Sequence, residues 1–150
     1  MPGKLIIAID FDGTLCDHRF PDIGNENPGA FSALKAFQEA GAKLILWTMR
    51  SDMIAPDNRS PEGHSADRDH LAEAVKWCRT RGVEFWGINE NPEQRSWTGS
   101  PKQYAHLYID DAAFGCPLRE NPRMGGRPMV DWSKVEPAVL DLLKGTEIAR

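Results

Sequence analysis

The sequence predicts an α/β fold organised on a mostly parallel sheet, and three observations carry that expectation. Leu5-Ile6-Ile7-Ala8-Ile9 and Leu44-Ile45-Leu46-Trp47 are continuous apolar runs rather than alternating ones, as strands are when both faces of a parallel sheet are covered. Between such runs lie segments whose apolar residues recur at helical spacing. The strand candidates also end in polar residues, Asp10 and Asp12 after the first, Thr48 after the second, Asp110 and Asp111 after a later one. That is the edge where open α/β sheets bind ligands.

A chain of 150 residues, 41% hydrophobic and 27% charged, fits a single globular domain, 1–150, with one core. Its net charge of -4 and pI near 5.5 argue against nucleic acid or an anionic membrane as the main partner, since both recruit a basic face. Cys16, Cys78 and Cys116 are an odd, widely spaced set that suits neither a disulfide framework nor a zinc ribbon, so a reducing cytoplasm is the expected setting. The apolar stretch after Met1 is too short, and meets acid too soon, for an export signal or a membrane span.

The first strand, residues 5–9, runs into Asp10-Phe11-Asp12-Gly13-Thr14. If the chain stays extended through Phe11, two-residue periodicity puts Asp10 and Asp12 on one side, and Gly13 lets the backbone turn away. An ordinary Asp-Gly turn is the plain alternative. Residues 15–27 form a loop over the carboxyl edge, from which His18 and Arg19 either reach a bound anion or face water. Asn27 as N-cap and Pro28 as first helical residue open a helix with Ala30, Phe31, Leu34 and Phe37 on one face, closed by Gly41. Residues 43–48 are the second strand. Residues 50–65 are rich in proline, serine and charge, and a connection of that length is commonly a lid or binding loop. Arg50 at its start could meet a substrate anion with its planar fork; the alternative is a solvated surface loop.

His64 and His70 lack the companions that a metal site needs. Asp67 to Arg81 is an amphipathic helix with Leu71, Ala74, Val75 and Cys78 inward and Gly82 as its stop. Residues 83–88 make a third strand, 89–100 a polar loop, and 106–109 a fourth strand that ends in Asp110-Asp111. Residues 112–132 read as irregular, with 129–132 a candidate edge strand. Ser133 and Glu136 look like a capping box for the last helix, with Pro137 as the competing start and Val135, Val139, Leu142 and Leu143 as its buried face.

Strand ends of one parallel sheet converge on one edge, so Asp10, Asp12, Asp110 and Asp111 would gather up to four negative charges against Lys102. Such a cluster repels itself unless a hard divalent cation sits within it, and oxygen-only ligands point to Mg2+. An ionised, oriented carboxylate can act as a nucleophile toward an electrophile whose negative oxygens the metal and lysine neutralise, and phosphate esters fit that description. Asp12, beside the nucleophile, could give a proton to the leaving oxygen and later take one from water.

Asp10-Phe11-Asp12-Gly13-Thr14, Thr48, Lys102 and Asp110-Asp111, in that order, resemble the four motifs of the haloacid dehalogenase-like (HAD) phosphohydrolase superfamily over nearly the whole chain. The resemblance implies a Rossmann-like three-layer α/β/α sandwich, Mg2+, an aspartyl-phosphate intermediate at Asp10, acid/base action by Asp12, and phosphate contacts from Thr48 and Lys102. It also implies that the metal is held by the Asp10 carboxylate, the Asp12 backbone carbonyl and the final acidic pair, Asp111 directly and Asp110 through water. Neither interval in which relatives insert a cap domain has room for one, so the chain is similar to the small capless branch, and His18-Arg19-Phe20-Pro21 resembles a loop found in a subset of it. The expected function is a cytoplasmic, magnesium-dependent phosphatase acting on a phosphorylated small molecule. The alternatives are a phosphoacceptor of the receiver type, in which the acidic pair comes first and the phosphorylated Asp in the middle, and a catalytically silent binding domain of related fold.

Overall fold

The computed structural model describes residues 4–52 and 68–145. Most of the 50–65 loop, Arg59 and His64 within it, and the first residue of the helix expected from Asp67 lie outside the described residues. The central sheet has four parallel strands, β1 (Ile6–Ile9), β2 (Lys43–Leu46), β3 (Gly87–Ile88) and β4 (Leu107–Ile109), in the order β3-β2-β1-β4. Three helices, α1 (Ala30–Glu39), α2 (His70–Thr80) and α3 (Trp132–Gly145), flank it, and β5 (Leu118–Asn121) with β6 (Arg127–Val130) forms a separate antiparallel hairpin.

Chain order against spatial order locates the ligand edge. β1, β2 and β3 step one way across the sheet, then the chain reverses and lays β4 on the other side of β1, so the topological switch lies between β1 and β4. Right-handed crossovers then put α1 and α2 on one face and the β3-to-β4 connection on the other. The packing agrees. Ile7, Ile9, Leu44 and Leu46 meet Leu34 and Phe37 of α1, Cys78 of α2 and Val139 of α3 in one core. Ile6, Ala8 and Ile45 point to the opposite face, under Trp47, Trp86 and Tyr104. The fold is the expected α/β, Rossmann-like arrangement; among the described residues its second outer layer is those aromatics and the 3-10 turn Gln94–Ser96, whose Gln94 Oε1 accepts from Tyr104 N. No helix among the described residues is long and apolar enough to cross a membrane.

Several elements depart from the sequence expectation. α1 starts at Ala30 rather than Pro28, after Gly29 in the left-handed region at φ 84°, and it has no side-chain cap. Asn27 is used elsewhere. Wholly buried, it donates from Nδ2 to Thr14 O (2.9 Å) and Val130 O (2.8 Å), while its Oδ1 accepts from Arg119 (3.1 Å). Asn27→Ala should lower stability by about 1–3 kcal/mol, the cost of stranding buried polar groups, readable as a lower urea midpoint at unchanged slope.

The third strand spans only two residues, with Trp86 N donating to Leu44 O (2.8 Å) just before it, while the Val83 N–H returns to Cys78 O to finish α2. The segment read as irregular holds the β5–β6 hairpin. Pro122 and Pro128 look like breakers, yet Pro122 opens the 3-10 turn Pro122–Met124, Gly125 and Gly126 complete the reversal at positive φ, and Pro128 sits in a two-stranded ribbon. α3 is capped by Asp131, whose Oδ1 accepts from Ser133 N (3.1 Å) and Ser133 Oγ (2.6 Å). It uses neither the Ser133/Glu136 box nor a Pro137 start, and Leu142 is 45% exposed, off the buried face that Val135 and Val139 define.

Candidate functional site

β1 and β4 both end in acid on either side of the switch. Asp10 N donates to Ile109 O (3.0 Å), which carries the β1–β4 pairing one residue farther and sets Asp10 beside Asp110 and Asp111. One carboxylate oxygen from each of these three residues lies within 4.8 Å of the other two. Thr14 ties the two strand ends together, its Oγ1 donating to Asp10 Oδ2 (3.0 Å) and accepting from Asp111 N (3.3 Å). Gly13 makes the turn at φ 82°, a conformation that disfavours any other residue, and a Cβ there would collide with the His18 imidazole and the Asp111 carboxylate. The turn is fastened by the hairpin and α3: Val130 N donates to Gly13 O (3.0 Å) and Trp132 Nε1 to Thr14 O (2.7 Å).

Burial first, and then the neighbouring carboxylates, govern the electrostatics. Burial, then the charge of Asp110 and a hydrogen bond with Asp111, push Asp10 up from 3.8 to about 8, against the lowering effect of the Thr14 hydroxyl. Burial raises Asp110 as well, and the Asp111 charge adds to it, although the Ala112 N–H (2.8 Å) works the other way. A carboxylate held so high keeps its proton near neutral pH unless a cation takes the proton's place. The donor set, three hard oxygens from two adjacent strand ends, suits a hard divalent cation, the class to which Mg2+ belongs.

The remaining expected site residues distribute differently. Asp12 does not turn its carboxylate into the trio. Both its oxygens accept from Arg50, Oδ2 from Nε and Oδ1 from Nη2, each at 2.9 Å. Arg50 itself does not extend over the rim toward a substrate. It is 2% exposed, and a buried guanidinium must find acceptors, here also Pro21 O (3.1 Å) and Asp22 O (2.8 Å), with the rings of Phe11 and Phe20 each 5.0 Å away. Thr48 lies just past β2 on the expected rim, its Oγ1 accepting from Arg50 N (3.1 Å) and its N–H donating to Asn89 Oδ1 (2.7 Å).

His18 is brought in: its Nε2 lies 3.0 Å from Asp111 Oδ2, in ion-pair range when the ring is protonated. Arg19 is exposed on the same loop and His70, at the start of α2, packs its ring 5.0 Å from that of Phe20. Lys102 is not brought to the trio. Its backbone is pinned, Gln94 Nε2 donating to Lys102 O (3.0 Å) and Lys102 N to Ser100 Oγ (3.1 Å), while its side chain is exposed and forms no ion pair among the described residues. Two contributors carry little sequence signal. The Thr14 hydroxyl lies inside the motif without marking its cross-link, and Asn89, in the left-handed region at φ 51°, looks like any polar loop residue.

No family model matches the chain, and no curated protein does. Among solved structures it is similar to that of a conserved protein coded by a locus of Bacteroides thetaiotaomicron, at 33% identity, over 99% of each chain, with a TM-score of 0.65. Likeness of that degree over the full length of both is common descent, and the chain belongs to the family of that conserved Bacteroides protein.

Proposed function

We propose that the protein is a magnesium-dependent, HAD-like phosphatase that passes the phosphoryl group of a small-molecule monoester first to Asp10 and then to water. The observation that supports this most is the Asp10, Asp110 and Asp111 trio at the β1/β4 switch, with Asp10 pushed up to about 8 by burial and by its acidic neighbours. In this reading the Asp10 carboxylate attacks phosphorus as the bond to the leaving oxygen breaks, and a proton from Asp12 completes the leaving alcohol. Water then attacks the phosphorus of the acyl phosphate and returns a proton to Asp12, which frees phosphate and the Asp10 carboxylate. Mg2+ held by Asp10, Asp110 and Asp111 would supply neutralisation of the phosphoryl oxygens. Thr48 and Lys102 remain the proposed phosphate contacts, Lys102 through its long flexible stem. A phosphorylated metabolite in the cytoplasm is the proposed substrate class.

Turnover of an aryl phosphate and of a panel of phosphorylated metabolites, with magnesium and with chelator, tests the reading; no magnesium-dependent phosphate release from any of them would reject it. Asp12→Asn should cost on the order of 10² to 10⁴ in rate on alkyl phosphates and much less on aryl phosphates, whose leaving groups need little proton help. Equal losses on both would remove Asp12 from the acid/base role.

A further inference from the structure

Arg50 is 2% exposed, and the side-chain hydrogen bonds described for it go to one carboxylate and one turn. Its fork meets both oxygens of Asp12, and the remaining N–H groups described meet Pro21 O and Asp22 O. The guanidinium carbon lies 5.0 Å from the ring of Phe11, itself fully buried between Asp10 and Asp12, and equally far from the ring of Phe20. A second arginine holds the same turn from α2's side: Arg68 reaches Asp22 Oδ1 (3.2 Å) and Pro21 O (3.4 Å), and is itself anchored on Glu73 (2.6 and 3.0 Å). Burying a cation is unfavourable unless its partners are fixed and well aligned. Planar two-point pairing also fixes the plane and direction of a carboxylate, as a single hydrogen bond does not.

We propose that Arg50 is the positioning residue of Asp12: it fixes the plane and direction of that carboxylate, two residues along the chain from Asp10, and couples them to the Phe20-Pro21-Asp22 turn, without touching substrate. The kinetic consequence rests on the phosphatase reading, whereas the clamp itself does not.

A double-mutant cycle built from Arg50→Gln, Asp12→Asn and the two together separates the possibilities, with Arg50→Lys as the second variant should Arg50→Gln fail to fold. In thermal unfolding each single change should lower the melting temperature, and the double should lose clearly less than the sum of the two. Strictly additive shifts would overturn the clamp. On an alkyl phosphate, Arg50→Gln should lower kcat about 10²-fold with KM within about threefold, and in the Asp12→Asn background it should cost less than about threefold more. Arg50→Lys keeps the charge but loses the fork, and should retain most of the defect.

A raised KM with unchanged kcat, full activity in Arg50→Lys, or an undiminished loss in the Asp12→Asn background would each overturn the positioning role. If the wild-type protein releases no phosphate, the phosphatase reading fails while the unfolding cycle still decides the clamp.

Discussion

Asp10→Asn should abolish phosphate release and, in the metal-free protein, raise the melting temperature. On the proposed mechanism the first effect follows from losing the nucleophile. The second follows from the burial, and then the neighbouring carboxylates, that hold Asp10 near 8. In an unfolded chain the carboxyl releases its proton near 3.8, whereas in the fold it keeps it to about 8, so between those values the unfolded state binds fewer protons and stability falls as pH rises. The amide has no proton to lose and spares that decline. Melting curves from pH 4 to pH 8 should therefore slope downward less for Asp10→Asn than for the wild type, with the gap widest at the alkaline end. A mutant that turns over substrate at the wild-type rate would remove Asp10 from the chemistry, and identical pH slopes would remove the electrostatic argument.

Chelation should stop activity and magnesium restore it. An ion bound by Asp10, Asp110 and Asp111 also favours the folded state by mass action, about 2.7 kcal/mol when the free ion is a hundredfold above its dissociation constant. Because proton and metal compete for the same oxygens, the rise in melting temperature on adding magnesium should be larger at pH 8 than at pH 5. Calcium should stabilise as well but support little turnover, since its looser coordination does not hold the compact octahedral geometry that magnesium imposes. Asp111→Asn should lose most of the magnesium-dependent shift while keeping the fold, and full activity in chelator would contradict the whole scheme.

What the sequence makes legible and what it hides divide along physical lines. The sheet, and the placing of acid at the ends of β1 and β4, follow from short apolar runs that stop abruptly at Asp10 and Asp110; burial on both faces leaves a strong local trace in β1, whereas in β4 Tyr108 is exposed and the apolar run itself is the signal. Of the four carboxylates expected at that edge, Asp10, Asp110 and Asp111 meet there because converging strand ends leave them little choice, whereas Asp12 is drawn to Arg50. Arg50 was not legible. Its place next to the polar stretch after β2 suggests an outward reach, and only the tertiary encounter with Asp12, Pro21 and Asp22 turns it inward. Asn27 shows the same limit: a good N-cap residue before Pro28 is claimed instead by carbonyls of Thr14 and Val130, the latter 103 residues away. The β5–β6 hairpin stayed hidden because its strands carry three charges and a proline rather than an alternating pattern, and a small ribbon of that kind is held by its docking on Gly13 and Asp17.

The central claim is that Asp10 becomes covalently phosphorylated during turnover. Quenching the enzyme in acid during steady-state hydrolysis of an aryl phosphate with magnesium, reducing it with borohydride, and sequencing the N-terminal peptide by mass spectrometry tests that claim directly. An acyl phosphate at Asp10 would be converted to homoserine at that position alone, and the product should be missing from the chelated enzyme and from Asp10→Asn. Turnover with an unmodified Asp10, or reduction at Asp12, Asp110 or Asp111 instead, would contradict the account.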